Sequence, residues 1–303
     1  MSKRLIYILL PLLIFASCGG DKHKKTDFSK EFEIPDSQRY AGELAISEAA
    51  MGEIVENISS PVEIAALIKA VGVPYSKDYL ATTDYVDNYN TSFKKALGLG
   101  IFGADLGYQN MYNKTGSVID YISAIKSLAD GIHVGQFFDF STLKRLATNN
   151  QNLDSLMYIS VQNFNQMDRY LSENNRSNLS SLIITGVWIE SMYLLGEVIK
   201  EAPNAELSEK IGEQQIILGS LMLLLKNYER DPDFKELVND LSEIQNIFRE
   251  VTITNVQGEP EMVEEDGMLT IKQNDKQFIE ISNETLFKII DKTVKVRNKI
   301  IQL

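Results

Sequence analysis

The span Ser177-Asn-Leu-Ser-Ser-Leu-Ile-Ile-Thr-Gly-Val-Trp-Ile-Glu-Ser-Met-Tyr-Leu-Leu-Gly-Glu-Val-Ile-Lys-Glu-Ala202 decides the fold. From Leu182 through Trp188 to Leu195 it is apolar nearly without interruption. A helix that is apolar on most of its sides belongs in the middle of a bundle, where neighbours cover it all round. Two carboxylates interrupt it, Glu190 and Glu197. Seven residues apart, they fall on one helical face.

The segments on either side supply the neighbours. Asn204 to Arg230 carries Ile211, Leu218, Leu221, Leu225 and Tyr228 at helical spacing, and Asp231-Pro232 opens a further helix to about Glu250. Upstream, Asn152 to Asn174 places Leu153, Met157, Phe164, Met167 and Leu171 close to a heptad seam. A short helix starts near Ser141, and another runs from Ser117 to Asp130 and stops at Gly131. Nearer the start, Tyr40, Leu44, Ala45, Met51 and Val55 recur at three- and four-residue steps. Ser60-Pro61-Val62-Glu63 has the form of a capping box, and the helix it opens is expected to end near Gly72, ahead of Pro74. The chain closes with Leu286, Ile289, Ile290, Val294 and Ile300 on one side of a helix from about Asn283.

Between the last two helices the period changes. Val251-Thr-Ile-Thr alternates, and Met268-Leu-Thr-Ile and Phe278-Ile-Glu-Ile read as short strands with Gln273 to Lys276 turning between them. An irregular acidic loop is the competing reading of this stretch. The expected fold class is mainly α: a multi-helix antiparallel bundle-like array, with a small C-terminal β-hairpin packed on it because isolated hairpins are marginal. The helical body covers residues 36–250, and residues 251–303 add the hairpin and the last helix.

Several stretches carry candidate chemistry. Gly98-Leu-Gly100-Ile-Phe-Gly103 matches the dinucleotide fingerprint, which works only between a strand and a helix. The preceding Thr91 to Leu97 lacks a β-branched run, so close helix packing at small residues is the preferred reading. Tyr75, Tyr79, Tyr85 and Tyr89 stand among aspartates and asparagines. With Tyr79, Tyr85 and Tyr89 as ligand candidates they suit a polar site, but a corner between helices with partly buried tyrosines is the simpler expectation. The acids there lack the spacing of a calcium loop.

Asp105, Glu190 and Glu197 are the candidates for acid–base or metal work, but for Glu190 and Glu197 a place at a helix edge or pairing with a cation is the preferred expectation. Their environment is apolar, yet no Glu-x-x-His accompanies them, and His23 and His133 are the two histidines of the chain. His133, in Gly-Ile-His-Val-Gly, is expected to be structurally packed. Zinc patterns, a Gly-x-Ser-x-Gly elbow and a phosphate loop are absent from the sequence. No catalytic residue, cofactor or metal is assigned.

Composition narrows the partners. Net charge is −12 over 303 residues, with 44% hydrophobic and 24% charged residues. An acidic protein repels nucleic acid, so no nucleic-acid partner is expected. One cysteine, Cys18, permits no disulfide within the chain.

That cysteine sits in the most specific motif. Lys3 and Arg4 precede the apolar run Leu5 to Ser17, too short and too interrupted by Pro11 to span a bilayer. Phe15-Ala16-Ser17-Cys18 follows, and this leader resembles the signal peptide and lipobox of bacterial lipoproteins. The resemblance covers residues 1–18. It implies cleavage before Cys18, lipidation of Cys18, and membrane attachment through a tether over residues 18–35. Loss of Lys3 and Arg4 with the leader takes the net charge to −14. Gly19, in place of an aspartate, implies the outer membrane, and the absence of an acidic run after the anchor implies the periplasmic face. The expected protein is therefore a lipid-anchored envelope component with a protein or small-molecule partner. The alternatives are a carboxylate-dependent hydrolase or metal enzyme and a small-ligand carrier using residues 75–89.

Overall fold

The computed structural model describes residues 67–148, 153–258, 261–265, 268–272, 274 and 276–302. The leader, Cys18, the tether and the helix expected from residue 36 lie outside the described residues. Where the description begins, a helical turn ends at Gly72, whose φ of 82° is the left-handed conformation that suits glycine at a helix end.

Eight helices are described: α1 (Ser92–Met111), α2 (Val118–Gly131), α3 (Phe140–Thr148), α4 (Leu153–Glu173), α5 (Ser177–Glu201), α6 (Ala205–Lys226), α7 (Pro232–Phe248) and α8 (Asn283–Ile301). Their starts follow local chemistry. Thr91, Asn204, Asp231 and Ser282 each accept a backbone N–H of the first turn, satisfying donors the helix leaves open. Pro232 takes the first position of α7.

The expected mainly α array is what forms. Helix α5 is its centre and packs on α1, α4, α6 and α8. By length and hydropathy it could cross a membrane, but 89% of its most apolar stretch is buried inside the protein. Its continuous hydrophobicity therefore reflects neighbours on all sides. Trp188 is fully buried and donates through Nε1 to Gln214 Oε1 of α6 at 3.1 Å.

The glycine run lies in the middle of α1, with no strand before it, so the dinucleotide reading falls away. A Cβ at Gly100 would stand 2.1 Å from Ile183 O, and one at Gly186 2.2 Å from Leu97 O. The two helices touch backbone to backbone at that point. Gly98 is covered by the Tyr89 ring instead, and Gly103 faces open space. Close packing thus explains part of the run only.

The C-terminal strands pair differently from the expectation. β1 (Thr252–Val256) pairs antiparallel with β4 (Lys276–Glu280), and β2 (Glu261–Glu265) with β3 (Met268–Lys272). The two pairs are nested. β3 follows β2 in the chain and is its partner, so the reversal falls between Glu265 and Met268 rather than between β3 and β4. Both stretches have turn-forming residues, and the longer ribbon satisfies more backbone groups. Ile253 and Ile279, opposite one another, press the base of the ribbon on the core, with Ile279 filling the space beside Gly212 of α6.

Candidate functional site

Helix α8 sets Leu286, Ile289, Ile290, Val296 and Ile300 inward, and on the same stripe is Arg297. Its guanidinium donates to both oxygens of Glu190 on α5, Nε to Oε2 at 2.9 Å and Nη2 to Oε1 at 2.8 Å. The pair is almost wholly withdrawn from water, with side-chain exposures of 5% and 0%. Nη2 also donates to the Tyr79 carbonyl at 3.1 Å, and the guanidinium lies 4.1 Å from the Tyr193 ring centroid. Burial opposes the Arg297 charge, but the Glu190 carboxylate outweighs it and holds the guanidinium protonated.

Asp105 of α1 completes the cluster. It is fully buried, and its Oδ2 accepts the Ala81 N–H at 3.0 Å. Oδ1 meets no hydrogen-bond donor. Burial first, and then the neighbouring Glu190 charge, raise Asp105 well above the usual carboxylate range, which favours its neutral form. The cluster thus holds one ion pair, Glu190 with Arg297, beside a carboxyl favoured in its neutral form. Its charges cancel in an interior where an unpaired one would be costly.

The same side chains fasten residues 73–91 over the helices. Besides the bonds to Tyr79 O and Ala81 N–H, the Tyr121 hydroxyl donates to Ala81 O at 2.5 Å and Tyr112 donates to Val73 O at 2.8 Å. The Ser76 N–H donates to the Tyr108 hydroxyl at 3.1 Å. The segment forms only two short 3-10 turns, Lys77–Tyr79 and Thr83–Asn88, so its backbone groups depend on these side chains. It is a strap whose main chain is read by the helical body.

Each candidate has a distinct place. Tyr79 and Tyr89 are buried in the strap's contact with the core, while Tyr85 is 59% exposed and apart from them. Burial pushes Tyr89 up to about 12 and raises Tyr79. Asp105 and Glu190 come together. Glu197 does not join them; it pairs with Lys200 at 3.0 Å near the surface. His133 is exposed rather than packed. α2 ends at Gly131, as its sequence suggested, and His133, with φ of 58°, takes the left-handed position just past that end. Among the described residues, no group of three His, Cys, Asp or Glu side chains converges as a metal site would require.

Arg297, the residue that organises the cluster, was missed in the sequence. Its signal was a charge at the centre of the apolar stripe of α8. The basic run Lys292 to Lys299 is otherwise used between helices: Lys292 pairs with Glu243, and Lys299 with Glu236 and Asp240 of α7, both at 2.6 Å.

An open groove of about 590 Å³ lies elsewhere, where the starts of α6 and α8 meet β1 and β4. Ser208, Glu209, Glu250, Thr252, Glu280 and Asn283 line it, and none of the sequence candidates does. Glu250 already accepts from Thr285 Oγ1 at 2.9 Å. The groove offers hydrogen bonds and negative charge to a polar molecule. Comparison with protein-family models, curated proteins and solved structures finds no match for the chain.

Proposed function

We propose that the protein is a lipid-anchored component of a bacterial envelope, tethered through Cys18 to the outer membrane and facing the periplasm, whose helical body binds a partner rather than performing catalysis. The observation that carries this reading is the sequence Phe15-Ala16-Ser17-Cys18 behind two cations and a short apolar run. Acyl chains on one cysteine, each methylene contributing about 0.8 kcal/mol of membrane affinity, hold such a body at a bilayer without a spanning helix.

The arrangement of the carboxylates favours binding over acid–base chemistry. Asp105 and Glu190 are the two that meet, and both are 0% exposed. Both oxygens of Glu190 are engaged by Arg297, and Oδ2 of Asp105 accepts the Ala81 N–H. A general acid or base must reach its substrate within hydrogen-bond distance, directly or through one water. Both groups are closed to solvent. A carrier role for Tyr79, Tyr85 and Tyr89 is disfavoured by their separation, since two are packed inside and one points outward.

The test is fractionation of cells making the native chain or its Cys18→Ala variant. The native protein is expected in the membrane pellet with incorporated fatty-acid label, and the variant without label. Equal labelling of both would refute the anchor. Measurable turnover abolished by Glu190→Gln in a protein that stays folded would refute the non-catalytic reading.

A further inference from the structure

Helix α6 turns Leu218, Leu221 and Leu225 into the core, but two large apolar residues point the other way. Ile216 is 53% and Leu223 is 71% exposed. Between them on that face lie Gly219 and Ser220. A Cβ at Gly219 would meet nothing within 4 Å, and the Ser220 hydroxyl is turned back to Ile216 O at 3.4 Å. The centre of the face is thus low, open and without polar demand, flanked by two aliphatic side chains. Small residues at such a centre let two helices approach closely.

The order of residues along the face is self-complementary. About the point midway between Gly219 and Ser220, Ile216 is the counterpart of Leu223, and Glu213, which Lys210 of the same helix also meets at 2.8 Å, is the counterpart of Lys226. In sequence Glu209 is likewise matched by Arg230, which lies beyond the end of the helix at Lys226. A two-fold axis through that midpoint would set aliphatic against aliphatic, small against small, and each carboxylate against a cation. An isologous interface needs a patch of this kind. A parallel pairing would instead bring each charge against its like.

We propose that this face of α6 is a homodimer interface, two copies packed antiparallel about a dyad between Gly219 and Ser220. The occupant is a second copy because the charges complement their own mirror positions. Nothing in this depends on the lipid anchor.

The test uses the full chain carrying Cys18→Ala, which leaves no cysteine. Under mild copper-catalysed air oxidation, Ser220→Cys in this background is expected to form a disulfide-linked dimer rapidly, since residues beside the dyad meet across it. Ser123→Cys, exposed on α2, is the collisional control. Ile216→Cys mixed with Leu223→Cys should cross-link to each other in preference to themselves. By sedimentation equilibrium, Glu213→Lys should weaken the dimer about tenfold, as two exposed ion pairs are reversed at once. Adding Lys226→Glu should restore it to within about threefold, an outcome that misfolding cannot imitate.

Cross-linking of Ser220→Cys no faster than Ser123→Cys would overturn the proposal. So would self-linking of Ile216→Cys in preference to Leu223→Cys, the mark of a parallel pair. A cysteine-free protein that stays monomeric to about 0.1 mM, with position 223 shielded by residues 1–66 of its own chain, would overturn it as well.

Discussion

Replacing Arg297 by Met isolates the buried ion pair. The guanidinium makes three hydrogen bonds, two to Glu190 and one to the Tyr79 carbonyl, all at 2.8–3.1 Å and all buried. Methionine fills much the same volume but leaves Glu190 without its counter-charge and Tyr79 O without its donor. Removing one partner of a buried pair costs about 3–5 kcal/mol, mostly from the charge left behind. An orphaned carbonyl adds about 1–3 kcal/mol. The upper part of that range approaches the whole stability of an ordinary domain. Urea denaturation followed by far-UV circular dichroism should therefore show a midpoint lowered by more than 1 M, or no native baseline, taking a slope of about 1–3 kcal/mol per molar.

The companion variant Arg297→Met with Glu190→Leu removes both charges together. Its cost should fall to about 1–2 kcal/mol, since apolar replacement of a whole buried pair is often nearly neutral. A single variant within about 1 kcal/mol of the native protein, or a double variant no better than the single, would refute the picture of a charge-balanced core.

Three further outcomes follow from the same geometry. Asp105 is raised in the folded state by burial and by Glu190, so its contribution to stability is full below the ordinary aspartate value near 3.8 and is lost as pH rises from there through the raised value. Asp105→Asn mimics the protonated acid, should match or exceed native stability at neutral pH, and should flatten the decline, up to about 1.4 kcal/mol per pH unit; thermal melts from pH 4 to 9 read this out. Asp105→Ala removes the acceptor of the Ala81 N–H and should loosen the strap, seen as faster amide exchange at Ala81. Gly100→Ala drives a methyl against Ile183 O and should cost about 1–3 kcal/mol, whereas Gly103→Ala faces open space and should gain up to about 1 kcal/mol in helix propensity; comparison of the two melting temperatures checks this.

The helices were legible because each carries its own period and punctuation. Asn204, Asp231 and Asn283 mark starts that the structure keeps, and the near-continuous hydrophobicity of Leu182 to Leu195 marks the centre. The ribbon was legible in kind but not in pairing. Asp266-Gly267 and Asn274-Asp275 are both turn-forming pairs, and choosing between them takes the register of four strands at once. The cluster was half legible. Asp105 and Glu190 stood out as charges in apolar stretches, but Arg297 lies 107 residues from Glu190, a separation no local pattern encodes. The strap left still less trace, because the helical body grips its backbone, and main-chain hydrogen bonds leave no side-chain signature.

The anchor is tested most directly by mass spectrometry of the mature N-terminus, purified from membranes of the cells that make the protein. The expected first residue is Cys18, heavier by its acyl groups, with Met1 to Ser17 removed. An intact leader, or a mature chain starting at an unmodified residue, would contradict it.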